Sequence, residues 1–211
     1  MTDFKIEKIA PLCADFGVTL DSEKINLLNL YGNLLLLWNE KINLTAITEP
    51  EEVLYKHFYD CILFLKHIIV PQNASLIDVG TGAGFPGTVL KIVRPDINVT
   101  LLDSLNKRLV FLNEVITELG LNGISTVHMR AEDAGKSKLY REKYDIACAR
   151  AVANLPVLME YCVPLVKKGG LFAAMKGPYA KEEAENSLNA ARLLGTEKPI
   201  IICETLTGNE Q

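Results

Sequence analysis

A short apolar run, Leu76-Ile77-Asp78-Val79, breaks into Gly80-Thr81-Gly82-Ala83-Gly84-Phe85-Pro86-Gly87, and a helical pattern through Val89, Leu90, Ile92 and Val93 follows at once. Strand, glycine turn and helix in this order let a ligand approach bare backbone at a helix N-terminus. Two ligand classes fit. Gly82, Gly84 and Gly87 have the dinucleotide spacing, with Asp103 suitably far downstream to accept from a ribose. Gly80, Gly82 and Gly84, preceded by Asp78, suit S-adenosyl-L-methionine instead. A carboxylate at Asp78 repels a pyrophosphate but attracts the ammonium of a methionine moiety. S-adenosylmethionine also has no phosphate to seat, so its loop needs glycines for close approach more than for an anion nest. The loop favours S-adenosylmethionine and leaves the dinucleotide open.

The remaining polar candidates sit where strands are expected to end. Asp103 closes a second strand, in position to accept both ribose hydroxyls. Arg130-Ala131-Glu132-Asp133 follows a third, at the place that faces an adenine ring, where backbone counts as much as side chain. Arg150, in Ala149-Arg150-Ala151, closes a fourth beside the reacting atoms, and Lys176 follows a fifth. Methyl transfer from a sulfonium is an in-line displacement, so orientation supplies much of the catalysis. Other demands depend on the acceptor. Carbon-5 of a pyrimidine needs a cysteine nucleophile, and Cys148 lies inside the fourth strand as a core residue. Exocyclic amines are commonly served by an Asn/Asp-Pro-Pro-aromatic turn, which Arg150-Ala151-Val152-Ala153-Asn154 does not match. A ring nitrogen with a free lone pair, such as guanine N7, loses no proton and needs no general base. His57 is a base or substrate contact on one reading and a packing histidine on another.

The elements that hold these residues follow from periodicity. Residues 1–70 read as helical: a first amphipathic helix through Phe4, Ile9 and Leu12, a second capped at Asp21 or Ser22, and a third after Thr48-Glu49-Pro50-Glu51, which has the capping-box spacing. Residues 71–211 alternate strand and helix, with strands expected over 75–79, 98–103, 124–129, 144–149, 170–175 and 200–203. The expected architecture is α/β: a Rossmann-like, doubly wound parallel sheet with a helical N-terminal extension packed on it, ligands lying at the carboxyl ends of the strands.

Composition sets the outer bounds. The 211 residues are 49% hydrophobic, enough for one domain with an extension, and carry a net charge of −4. That charge counts mildly against a nucleic-acid substrate, although Arg130, Lys136, Lys138, Arg141 and Lys143 cluster among interleaved acids. Five scattered cysteines without a C-x-x-C pair indicate reduced thiols and a cytoplasmic protein. The most apolar run, Leu34 to Leu37, is far too short to span a membrane. No metal is expected.

Several blocks together resemble the RsmG (GidB) family, the bacterial 16S rRNA guanine-N7 methyltransferases. They are Trp38-Asn39-Glu40-Lys41-Ile42-Asn43-Leu44-Thr45-Ala46-Ile47, His57-Phe58-Tyr59-Asp60, the Asp78–Gly87 loop, Asp103-Ser104 with Lys107-Arg108 and Phe111-Leu112, and Arg150-Ala151. Their shared order and spacing are specific, and they run through most of the chain. The resemblance implies a class I S-adenosylmethionine-dependent enzyme whose cofactor is contacted at Gly80, Phe85, Asp103, Ala131, Glu132 and Arg150; Asp78, Gly82 and Gly84 join them on physical grounds. Arg150 is expected to position substrate or cofactor. His57, Lys107, Arg108, Arg130 and Lys176 are the candidates for contacting substrate. The implied partner is 16S rRNA or the small ribosomal subunit, with no membrane association and a monomeric protein. Cys61 stands where the family usually has serine, and the family's seventh strand and basic tail are not expected in a sequence ending at Gln211. A methyltransferase of small molecules or proteins, an NAD(P)-binding oxidoreductase and a non-catalytic cofactor-binding module are the alternatives.

Overall fold

A computed structural model describes residues 2–206. The chain opens with a 3-10 turn (Ile6–Lys8) that leads into helix α1 (Ala10–Ala14), and the longer α2 (Ser22–Asn39) follows. Asp21 caps α2, its carboxylate accepting from the Lys24 amide at 2.9 Å. The third helical stretch is continuous but not uniform: α3 (Pro50–Val53) widens into a π-helical turn (Leu54–Tyr59) before α4 (Asp60–His67). The expected capping box is not made. Glu49 occupies the N-cap without a side-chain hydrogen bond, and proline alone starts the helix.

From Ser75 the alternation is regular. β1 (Ser75–Val79), α5 (Gly87–Val93), β2 (Asn98–Asp103), α6 (Asn106–Glu118), β3 (Ile124–His128), α7 (Ala131–Ala134), β4 (Tyr144–Arg150), α8 (Leu155–Cys162) and β5 (Val166–Met175) follow in turn. α9 (Ala180–Asn186) and α10 (Leu188–Leu194) close the sequence of elements. The five strands lie in the order β3-β2-β1-β4-β5, all parallel. The order reverses between β1 and β4, which are paired at Ile77 with Ala147 and Asp78 with Cys148. A crevice opens at such a switch point, outside the carboxyl ends of the strands.

Two strand expectations are corrected. β5 begins at Val166 rather than Gly170, and the glycine turn lies inside it as an irregularity: Tyr144 pairs with Val166, then Ile146 with Leu171. Gly169, with φ +77°, lets the extra residues loop out. Residues 200–203 form no strand. A strand needs a paired edge, and this segment is held elsewhere: Glu204 bonds Lys66 Nζ at 2.9 Å and His67 Nε2 at 2.6 Å, which ties it to α4.

Both faces of the sheet are covered. On one, Phe4, Leu28, Tyr31, Leu35 and Phe58 of the N-terminal helices share a core with Val89, Leu101, Phe111 and Leu112. On the other, Ile77, Val79, Leu102 and Ala147 pack with Leu158, Cys162 and Leu165. The N-terminal segment therefore delivers side chains to the β1–α5 loop at the switch point.

Candidate functional site

The loop after β1 is held from beneath and behind. Gly80, Gly82 and Gly84 have φ of +67°, +60° and +97°, a region that side-chain-bearing residues rarely enter. At two of them space also forbids a side chain. A Cβ on Gly80 would meet Val152 at 2.7 Å, and one on Gly84 would meet Thr88 and Tyr31 oxygens at 2.6 Å. Gly82 differs, since a Cβ there would meet nothing nearer than 3.9 Å. Its backbone is the part of the turn left open to a ligand.

Asp78 lies under this turn, fully buried. Its Oδ2 accepts from the Thr81 hydroxyl at 2.6 Å and the Gly87 amide at 2.9 Å, tying the two ends of the loop together. Burial, only partly offset by those bonds, pushes its pKa up to about 6. Oδ1 has no hydrogen-bond partner among the described residues. Asp103, at the end of β2, accepts from the Gly82 amide through Oδ2 at 2.9 Å and from the Leu105 amide through Oδ1 at 2.8 Å. Arg108 reaches the same Oδ2 at 3.3 Å. The Tyr31 hydroxyl of α2 donates to the Ala83 carbonyl in a short bond, so the N-terminal helices brace the loop directly.

Arg150 ends β4 and organises the other wall. Its Nη1 donates to the Lys56 carbonyl and to Asp60 Oδ2, both at 3.0 Å, and its Nη2 lies 3.0 Å from His57 Nδ1. The guanidinium also sits 5.0 Å from the centroid of the Phe85 ring, and His57 stacks on that ring at 4.6 Å. Burial, then the Arg150 charge, lowers the His57 pKa to about 4, so the imidazole is neutral. Burial holds the Asp60 carboxyl above its ordinary value despite the arginine. After Arg150 the chain turns sharply: Ala151 has φ +56°, which costs an alanine ~1–2 kcal/mol. The π-helical turn contributes both His57 and the Lys56 carbonyl; such turns recur at functional sites.

Between these walls lies a cavity of about 160 Å³. It brings together His57, Gly80, Gly82, Phe85, Arg108 and Arg150 from the sequence candidates. Asp78 and Gly84 lie behind the loop rather than on the cavity surface, and Asp103 reaches it through Gly82 and Arg108. Ala131 and Glu132 begin α7 beyond the end of β3, with Arg130 exposed at its N-cap. Lys107 is exposed in the first turn of α6. Lys176 is tied down by the Ala153 carbonyl at 2.7 Å and Glu183 at 2.8 Å, holding the chain after Arg150. Cys148 is fully buried and its thiol pKa is pushed well up by burial, as befits a core residue. A hollow of about 400 Å³ beside α2 is lined by Asn29 and Asn33, which are taken up by the backbone of Phe4 and Thr2.

A family model described as rRNA small subunit methyltransferase G (GidB) matches residues 24–206. The chain belongs to this family. It is 52% identical over 183 residues to Ribosomal RNA small subunit methyltransferase G of Alkaliphilus metalliredigens, covering 87% of this chain and 77% of that one. It is 58% identical over 180 residues to the protein of that name from Acetivibrio thermocellus, covering 85% and 74%. The fold is similar to a SAM dependent methyltransferase from Aquifex aeolicus, with 20% identity and a TM-score of 0.51 over 69% of this chain and 82% of that one. As a member of this family, the chain is an rRNA methyltransferase with the Rossmann-like class I fold, and the oxidoreductase alternative falls away. No helix among the described residues is long and apolar enough to cross a membrane.

Thr45 also lines the cavity and was not singled out from the sequence. It lies in a loop without regular structure, so no periodicity marks it. The Asn39 side chain fixes that loop, with Oδ1 accepting from the Leu44 and Thr45 amides and Nδ2 donating to the Thr45 carbonyl. The block Trp38 to Ile47 was the available signal.

Proposed function

We propose that this methyltransferase carries a methyl group from S-adenosyl-L-methionine to N7 of one guanine in 16S rRNA. The observation that carries the reading is the absence of a free proton acceptor among the residues lining the cavity. His57 is its one neutral base, and both ring nitrogens are engaged, Nδ1 by Arg150 and Nε2 by Thr45 at 2.8 Å. A lone-pair acceptor such as guanine N7 needs no base, whereas an exocyclic amine must shed a proton.

The residues present fit the cofactor. The open backbone at Gly82 admits a ligand that a side chain would exclude, and Asp103 lies beside it as an acceptor for ribose hydroxyls. Bound S-adenosylmethionine supplies an electrophilic methyl group and needs no metal or redox partner. Arg150 is fixed on three sides and still borders the cavity, so it orients an anionic group of cofactor or RNA without reorganising. Phe85 and His57 form a stacked apolar wall beside it. Ala131 and Glu132 extend the cofactor surface from the end of β3, and all five cysteines are free thiols, in keeping with a cytoplasmic protein.

The test is transfer of labelled methyl from S-adenosylmethionine to small ribosomal subunits, or their RNA, that lack the modification. Label recovered in 7-methylguanosine at one site supports the reading. Label in an N2-methylated guanine or a C5-methylated pyrimidine overturns it.

A further inference from the structure

The hydrogen-bond polarity of the cavity wall is fixed, and it leaves one donor without an acceptor among the described residues. Arginine nitrogens only donate, so the Nη2–H of Arg150 at 3.0 Å requires His57 Nδ1 to accept. The proton of the neutral ring is then on Nε2, which donates to Thr45 Oγ1 at 2.8 Å. The competing contact, Nδ1 to the Lys56 carbonyl at 3.2 Å, is longer, and that carbonyl already accepts from Arg150. Thr45 Oγ1 also accepts from the Ile47 amide at 3.0 Å. A hydroxyl oxygen has two acceptor sites and one proton. Both acceptor sites are filled, and no described residue takes the proton.

We propose that Thr45 is a ligand-contacting hydrogen-bond donor of this site, its polarity set by the Arg150–His57 relay, and that it takes an acceptor oxygen of the bound ligand. The inference rests on the reading of the cavity as the methyl-transfer site. Two oxygens have the required chemistry: the carboxylate of the cofactor and the carbonyl O6 beside N7 of guanine. A base that has no carbonyl there, or a cofactor without a carboxylate, gives the hydroxyl nothing to hold.

The full chain is compared with Thr45→Val and Thr45→Ser. Binding is measured with S-adenosylmethionine and with decarboxylated S-adenosylmethionine. Transfer is measured to RNA carrying guanine or 2-aminopurine at the target. A loss of about 10-fold from Thr45→Val is expected with one acceptor-bearing partner of a pair and not with its deleted analogue, while Thr45→Ser stays within about 3-fold of the parent. A penalty confined to the first pair places the contact on the carboxylate, and one confined to the second places it on O6. Equal losses with both members of each pair, no loss at all, or failure of serine to restore, overturns the proposal. Nitrogen-15 chemical shifts of His57 in the unsubstituted protein check the relay without a variant, and an Nδ1–H tautomer overturns it. Failure of the unsubstituted protein to bind S-adenosylmethionine overturns the functional reading instead.

Discussion

His57 and Asp78 are both buried titratable groups with shifted pKa values, and their shifts act in opposite directions on stability. His57 falls from 6.5 to about 4, so between those values the unfolded chain binds more protons and stability is lost as pH falls. Asp78 rises from 3.8 to about 6, so across that window the folded chain binds more protons and stability is gained as pH falls. Each amounts to ~3 kcal/mol if fully expressed, and the two windows largely overlap. The parent protein should therefore change little in stability between pH 6.5 and 4.5 on account of this pair. Removing one partner exposes the other: Asp78→Asn should lose stability on acidification, and His57→Gln should gain it. Urea unfolding at the two pH values checks this, and parallel slopes for the two variants would show that neither group titrates as stated. Asp103 is a simpler case. Asp103→Ala should weaken S-adenosylmethionine binding by ~1–3 kcal/mol, because it removes a charged acceptor beside Gly82. Calorimetric titration of the folded variant measures it, and unchanged affinity would remove Asp103 from the site.

At the scale of elements, what the sequence made legible was what repeats or ends abruptly. The β1–loop–α5 unit, the acid closing β2 and the arginine closing β4 all lie where period and turn chemistry put them. The π-helical turn was not legible, because its apolar residues are also compatible with an ordinary helical stripe. The Ile200–Cys203 run has strand composition, but pairing is a tertiary event and Glu204 anchors the segment to α4. Gly32, inside α2, shows the same limit. A mid-helix glycine ordinarily costs ~1 kcal/mol, and no local feature explains it. In the structure the Phe4 ring lies 2.5 Å from where its Cβ would be. Gly32→Ala should thus destabilise by ~1–3 kcal/mol through overpacking, against its gain in helix propensity. In a Phe4→Ala background the same substitution should become neutral or stabilising, because the obstructing ring is gone. Thermal or urea denaturation of the four proteins in the cycle decides; additive effects would mean that the helix does not press on Phe4.

For the whole molecule the question is how a chain of net charge −4 engages a polyanion. Phosphate contacts depend on local placement rather than on the sum of charges. Topology separates the basic residues into two groups. Lys107 lies in the first turn of α6 just after β2, and Arg130 occupies the N-cap position of α7 just after β3, so both lie at the carboxyl ends of the strands, where the cavity opens. Lys138 and Lys143 lie on the connection that carries the chain back to the start of β4, at the opposite end of the sheet. All four are exposed. Lys107→Glu and Arg130→Glu should each raise the KM for the rRNA substrate several-fold and lower the salt dependence of RNA binding by about one unit in the log–log slope. Lys138→Glu and Lys143→Glu change net charge by the same amount and should leave both within about 2-fold, since that end of the sheet faces away from the site. Affinity for S-adenosylmethionine in Lys107→Glu should stay at the parent value. Salt titrations of RNA binding across the four variants discriminate a local contact from a bulk charge effect: equal losses in all four would mean that the RNA responds to net charge, and the placement at the strand ends would then carry no recognition.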